Sequence, residues 1–279
     1  MQYYIFSGEM RNIDDGISIK NRAFRYADGL FESMFFTNNK IMFLDLHYNR
    51  LLEGMKLLQI ETSNLPDKQQ LIDKTRELIK ANGIESAARV RLQVFRKDGG
   101  LYLPDTNDCE YLLEATAIDN NEYTLNTKGL HIGITTKIKQ HKSIFSKVKT
   151  IAKQEMIIAA LDARENKWDD AILTNTSNNI TETSSSNIFA VINGNLYTPQ
   201  IDDGILDGIM RQMVLKIVAE NNIPIIETSL TEANLEAAEE IFITNAVKGV
   251  QWVVAFGNKR FFNNMSKRII SLLNKKIYE

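Results

Sequence analysis

Two side chains of opposite charge carry the chemistry most easily read from this chain. Lys149 ends the run Ser146-Lys147-Val148-Lys149, just before a stretch of helical character from Ile151 to Lys167. Glu182 follows beyond the next strand, in Asn179-Ile180-Thr181-Glu182. An amine in such a place can capture a carbonyl cofactor as a Schiff base, and a carboxylate can keep that cofactor's ring nitrogen protonated. Anion-binding groups lie elsewhere. Arg50 stands one helical turn after His47, and a planar guanidinium grips a phosphate better than the point charge of a lysine. In Asp203-Gly204-Ile205-Leu206-Asp207-Gly208-Ile209-Met210-Arg211, Gly208 admits close backbone approach and the helix that follows opens with unpaired N–H groups at its positive end. The strand end Thr244-Asn245-Ala246 is a second possible phosphate contact. Plainer readings stand beside these: His47 and Arg50 as a surface pair supporting a helix, Glu182 as a surface acid, and Asp-Gly as an ordinary helix start.

The elements that must position these groups read as two α/β lobes. The strand Leu30 to Thr37 turns at Asn38-Asn39 and returns through Lys40 to Leu44, a hairpin by its turn chemistry. Asp45 is the expected N-cap of a helix from Leu46, with Leu51, Leu52, Met55 and Leu58 at helical spacing. A second helix is expected from Asp67 to Ala81, ended by Asn82-Gly83. The strand Ala88 to Arg96 puts Arg89 and Arg91 on one face, and Glu110 to Ala117 is its return. The polar stretch Asp119 to Lys128 is the expected linker, dividing a lobe over residues 1–118 from one over 129–279 that carries Lys149. In the second lobe, strands are expected at Leu130 to Thr136, Ala171 to Thr174, Ile180 to Thr183, Asn187 to Ile192 and Ile241 to Ala246. Asn193-Gly194 makes a hairpin, Asp207 caps a helix burying Val214, Ile217 and Val218, and Met265 to Ile277 forms an amphipathic surface helix.

Bulk properties narrow the class. A chain of 279 residues is long enough for two lobes, and 44% apolar with 24% charged residues is ordinary for a soluble globular protein. A formal net charge of −2 supplies no basic field for nucleic acid or anionic membrane. Cys109 is the single cysteine, so no internal disulfide or cysteine zinc cage is expected, and no metal. The N-terminus lacks a basic and apolar leader pattern, and no window approaches the ~18 apolar residues of a membrane span, so a cytoplasmic enzyme is expected.

Taken in order, these motifs resemble the class IV aminotransferases, the fold-type-IV pyridoxal-phosphate enzymes that include branched-chain and D-amino acid transaminases and aminodeoxychorismate lyases. The resemblance runs from Arg22-Ala23-Phe24-Arg25-Tyr26 to Ile243-Thr244-Asn245-Ala246. His47-Tyr48-Asn49-Arg50-Leu51 matches the family's phosphate-arginine helix. Thr181-Glu182 with Ser186-Asn187-Ile188-Phe189 matches the strands beyond its catalytic lysine, which assigns that lysine to Lys149 in preference to Lys147. Gly208-Ile209-Met210-Arg211 matches the turn whose amides hold phosphate. The resemblance implies an α/β, D-amino acid aminotransferase-like fold with the active site in the interdomain cleft. It implies pyridoxal 5′-phosphate bound by Arg50, Lys149, Glu182, Ile209, Met210, Asn245 and Ala246, and a homodimer whose partner closes each site.

Substrate recognition follows the family pattern less closely. Where many family transaminases have Asn-Tyr after the lysine, this chain has Ala152-Lys153, and the arginine that lyases and some D-amino acid enzymes carry near Gly99-Gly100-Leu101-Tyr102 is missing. Arg25, Phe31, Arg96 and Lys153 are therefore the expected substrate-binding residues, with Arg89 and Arg91 left on the sheet surface. The resemblance implies transfer of an amino group between an amino acid and a 2-oxo acid. Aminodeoxychorismate lyase chemistry, yielding 4-aminobenzoate and pyruvate, is the alternative, and a ligand-binding relative without activity is a third.

Overall fold

A computed structural model describes residues 2–278, in which the chain forms two compact units. The first comprises residues 1–121 together with Val148–Ala152, and the second comprises Glu122–Lys147 and Lys153–Glu279.

The first unit is a six-stranded antiparallel sheet with two helices on one face. Its strands are β1 (Tyr3–Phe6), β2 (Glu9–Asn12), β3 (Gly29–Thr37), β4 (Lys40–Ile41), β5 (Ala87–Arg96) and β6 (Cys109–Ile118), in the order β2-β1-β6-β5-β3-β4. A short helix α1 (Arg22–Tyr26) precedes β3, and α2 (Leu44–Leu57) and α3 (Lys68–Ala81) follow β4. Strand alternation assigns the faces. Leu30, Met34 and Phe36 of β3, Val90, Leu92 and Val94 of β5, and Leu113 and Ala115 of β6 join Leu51, Met55, Leu71 and Leu78 of the helices in one core. Met55 and Leu78 are wholly buried, each worth about 1.5–3 kcal/mol.

The α2 helix begins differently from the expectation. Phe43, in a left-handed conformation, is its N-cap, and Asp45 lies in its first turn beside Lys68. The acid there favours the helix through its dipole and not by capping. In contrast, Asp67 does cap α3, with Gln70 completing a capping box. Gly54 of α2 has no room for a side chain, since a Cβ there would lie 2.7 Å from the Leu30 side chain. That close approach brings the buried stripe of α2, His47, Arg50, Leu51, Gly54 and Met55, onto β3.

The segment carrying Lys149 belongs with the first unit and not with the lobe expected from the sequence. Phe31 N donates to Lys149 O at 2.9 Å, and Ile151 N donates to Gly29 O at 3.0 Å. Val148 enters the first unit's core, and Ile151 packs with Tyr4, Phe95 and Leu112. Because this backbone is tied to β3, the helix expected from Ile151 starts only at Gln154, as α4 (Gln154–Asn166).

The second unit is built on nine strands: β7 (Leu130–Ile134), β8 (Asp170–Thr174), β9 (Ile180–Thr183), β10 (Asn187–Ile192), β11 (Asn195–Thr198), β12 (Ile225–Glu227), β13 (Glu240–Asn245), β14 (Gly249–Phe256) and β15 (Lys259–Arg260). They run β12-β11-β10-β13-β14-β7-β8-β9, with β15 on β14. Glu182 of β9 also pairs with Asn187 of β10, so six strands close on themselves. Asn193 and Gly194, both at positive φ, form the β10–β11 turn. The helices are α4, α5 (Ile209–Glu220), α6 (Glu232–Ala237) and α7 (Asn264–Tyr278). The stretch expected as a linker is anchored from Glu122 onward: Tyr123 is buried, and Asn126 bonds both the backbone and the indole of Trp252.

Candidate active site

The first unit gathers Arg50, Lys149 and Phe31 from the expected set and adds three residues the sequence did not single out, Glu32, His47 and Arg91. Alternation places Glu32 on the apolar face of β3, between Leu30 and Met34. Arg50 meets it with two parallel bonds, Nε to Oε1 at 2.9 Å and Nη2 to Oε2 at 2.6 Å, and His47 Nδ1 lies 2.6 Å from Oε2. Burial pushes the Glu32 carboxyl upward, but Arg50 and then His47 hold it down at about 2. Burial draws His47 below its ordinary value, so the ring is neutral at pH 7 and donates from Nδ1.

This cluster predicts an acid response. A carboxyl held at about 2 against an ordinary 4.5 lends stability that is complete above about 4.5 and is lost as the pH falls through about 2. The linkage amounts to roughly 3 kcal/mol. Between those pH values wild type should lose more stability than Glu32→Gln in parallel denaturant titrations; equal slopes would contradict the assignment.

Lys149 is half-buried, and its Nζ lies 4.7 Å from the centre of the Phe31 ring. Arg91 lies against the same ring, its guanidinium carbon 4.0 Å from the centre. Burial, and then Arg89, lowers the Arg91 pKa, while its ion pair to Glu114 is long, at 3.9 Å. Arg96 points to the other face of β5. Its guanidinium is spent on Asp28, Asn107 and the carbonyls of Leu58 and Gln59, which corrects its expected role as a substrate ligand. Arg25 is exposed on α1 and stacks on Tyr26, and Lys153 is the half-buried N-cap residue of α4.

The second unit gathers Glu182, Ile209, Met210, Asn245 and Ala246. Glu182 is buried where β9 meets β10 and accepts from Gln140 Nε2 at 2.8 Å, Asn187 Nδ2 at 3.4 Å and Leu206 N at 3.3 Å. Gln140 was missed because it lies in an irregular segment, bridged only to Asn175. The α5 helix starts at Ile209 with Gly208 as N-cap and no side-chain cap. Asp207, the expected cap, reaches forward to Arg211 and Gln212. A Cβ on Gly208 would fall 1.9 Å from Asn187 Oδ1, so only glycine lets the helix start approach the Glu182 cluster. Asn245 donates to Ser186 Oγ at 3.0 Å, and the Ala246 carbonyl accepts from the Tyr123 hydroxyl at 2.8 Å.

Two buried acceptors, Gln140 Oε1 and Thr244 Oγ1, have no hydrogen-bond partner in the protein. Orphaned polar atoms around a buried carboxylate and an uncapped helix start suit a polar, anionic ligand with a basic ring nitrogen. With the buried arginine and the amine on Phe31, the residues present fit pyridoxal phosphate.

Comparisons with known proteins agree with this donor set. A branched-chain aminotransferase structure from Thermoproteus uzoniensis superposes with a TM-score of 0.87 at 23% identity, covering 98% of this chain and 94% of that one. A Legionella pneumophila structure provisionally named a 4-amino-4-deoxychorismate lyase gives 0.84 at 24% identity, covering 95% and 96%. Both likenesses define the fold as that of the fold-type-IV pyridoxal-phosphate enzymes. Residues 29–256 match the amino-transferase class IV family, and the chain belongs to that family. Its cofactor is pyridoxal 5′-phosphate, and its substrates are amino acids and 2-oxo acids. A Methanocaldococcus jannaschii protein provisionally named a branched-chain-amino-acid aminotransferase is 27% identical over 279 residues, covering 99% of this chain and 95% of the relative.

Proposed function

We propose that this enzyme transfers the amino group of an amino acid with an apolar side chain, of the branched-chain type, to a 2-oxo acid. The observation that carries the reading is the grouping on Phe31 of an amine, Lys149, and a guanidinium, Arg91, against an aromatic wall. The full-length similarity to the M. jannaschii protein supports the same substrate class.

Pyridoxal phosphate, when bound, supplies a sink for the electron pair left as the substrate Cα loses its proton. The protein's own residues do the rest. Lys149 holds the cofactor carbonyl covalently, gives way to the substrate amine, and then carries the Cα proton as a general base and acid. Glu182, fixed by Gln140, Asn187 and the Leu206 amide, keeps the ring nitrogen protonated. Arg50, the first amides of α5 at Ile209 and Met210, and the Asn245-Ala246 turn hold the phosphate. Phe31 is the apolar wall for the substrate, and Arg91 takes the carboxylate role for which Arg96 was expected, with Arg25 and Lys153 as outer contacts.

A half-reaction screen tests this directly. Leucine should convert the cofactor to its amine form, seen as a change in its absorbance, and 2-oxoglutarate should restore it; L- and D-isomers run side by side give the stereochemistry. Pyruvate released from aminodeoxychorismate with no amino acid turned over would replace this reading with the lyase. We also propose a homodimer, on the exposure of Phe24, Leu101, Tyr102 and Leu103 in the first unit, Tyr102 at 91%. Light scattering that finds a monomer overturns it.

A further inference from the structure

We propose that Glu32 is a positioning residue for the cofactor phosphate: by clamping one edge of the Arg50 guanidinium it fixes the direction in which that guanidinium presents itself to the anion. The inference rests on Arg50 being the phosphate ligand.

A fully buried acid on the core face of a strand is costly unless it is paired, and a hydrophobic residue at that register would pack at no such cost. Glu32 sits among Leu30, Met34 and Leu92, each at 2% exposure or less. Its partners come from one helix face, the stripe that Gly54 allows to approach β3. The carboxylate engages Nε and Nη2 and leaves the Nη1 side of the fork outside the clamp. A guanidinium held through two parallel bonds cannot swing about its last side-chain torsion, so its aim is set before any anion arrives. His47 adds a third bond to the same carboxylate oxygen without adding charge, which fixes the carboxylate in turn. Arg50 is attached to a helix and Glu32 to a strand, so the aim is referred to the rigid sheet and not to a flexible four-bond side chain.

The test compares pyridoxal 5′-phosphate with pyridoxal, which lacks the phosphate, as ligands for the apoenzyme of wild type, Glu32→Gln, Arg50→Ala and the double variant. Glu32→Gln should weaken pyridoxal phosphate by about tenfold or more, the scale of one misdirected charge-assisted hydrogen bond, while pyridoxal changes little. In the Arg50→Ala background Glu32→Gln should have no further effect on the ratio of the two affinities. A Glu32→Gln enzyme that binds pyridoxal phosphate as well as wild type or more tightly, or that weakens both ligands equally, overturns the proposal. An unchanged ratio in Arg50→Ala alone overturns instead the phosphate role of Arg50. Should Glu32→Gln not fold, His47→Gln loosens the same carboxylate and should shift the ratio in the same direction by a smaller factor; no shift there overturns the positioning role.

Discussion

Replacing Lys149 with alanine should slow amino-group transfer by at least about 10³-fold while leaving the fold intact, because one side chain serves as both covalent anchor and proton carrier. The backbone bonds that fasten this segment to β3 involve the Lys149 carbonyl and the Ile151 amide, which alanine retains. The lost side-chain contact is the one with the Phe31 ring, about 0.5–1 kcal/mol at a half-exposed position. Melting temperature should therefore barely move while the cofactor's absorbance band collapses and the cofactor becomes dialysable. A sharper version uses the wild-type enzyme: borohydride reduction should fix the cofactor to the peptide bearing Lys149. A mass shift found on Lys147 or Lys153 instead would remove Lys149 from its role.

Glu182→Gln should lower kcat by about 10²–10³-fold with little change in KM, the loss expected when a preorganised charge acting on the reacting group is removed. Glutamine keeps the volume and one acceptor oxygen, so the donors Gln140, Asn187 and the Leu206 amide lose part of their partner and not all of it. The alanine variant orphans all three inside the closed strands and should cost about 1–3 kcal/mol of stability as well. The pair separates chemistry from folding: both variants should lose kcat, and only alanine should lose stability. A glutamine variant with wild-type kcat would end the assignment of Glu182 to the ring nitrogen.

Residue types and motif order were enough to place Lys149, Glu182, Arg50 and the start of α5, because each depends on local sequence: a lysine before a helix, a Thr-Glu on a strand, an arginine one turn from a histidine. What escaped depends on parity and on long-range pairing. Arg91 and Arg96 sit five positions apart on β5 and therefore on opposite faces, one toward Phe31 and the other toward Asp28 and the helix end. The same parity places Glu32 with Leu30 and Met34, a signal present in the sequence as an acid at a core register. Gln140 gave no such signal, since it becomes an orienting group only when an irregular segment is brought beside β9. The allegiance of Val148–Ala152 to the first unit rests on backbone hydrogen bonds, which leave no mark on side-chain pattern.

The chain passes from one unit to the other at Asn121, at Lys147 and at Ala152, and that route bears on inheritance. A genetic crossover near residue 121 between two diverged relatives would deliver Phe31 from one parent and Lys149 from the other. Gly29 and Phe31 would still bond the lysine segment through backbone atoms, yet Ile151 would meet Tyr4, Phe95 and Leu112 of foreign descent. Chimeras that also exchange residues 148–152 keep this packing native, so functional recombinants of this protein should inherit the five-residue segment together with the N-terminal half.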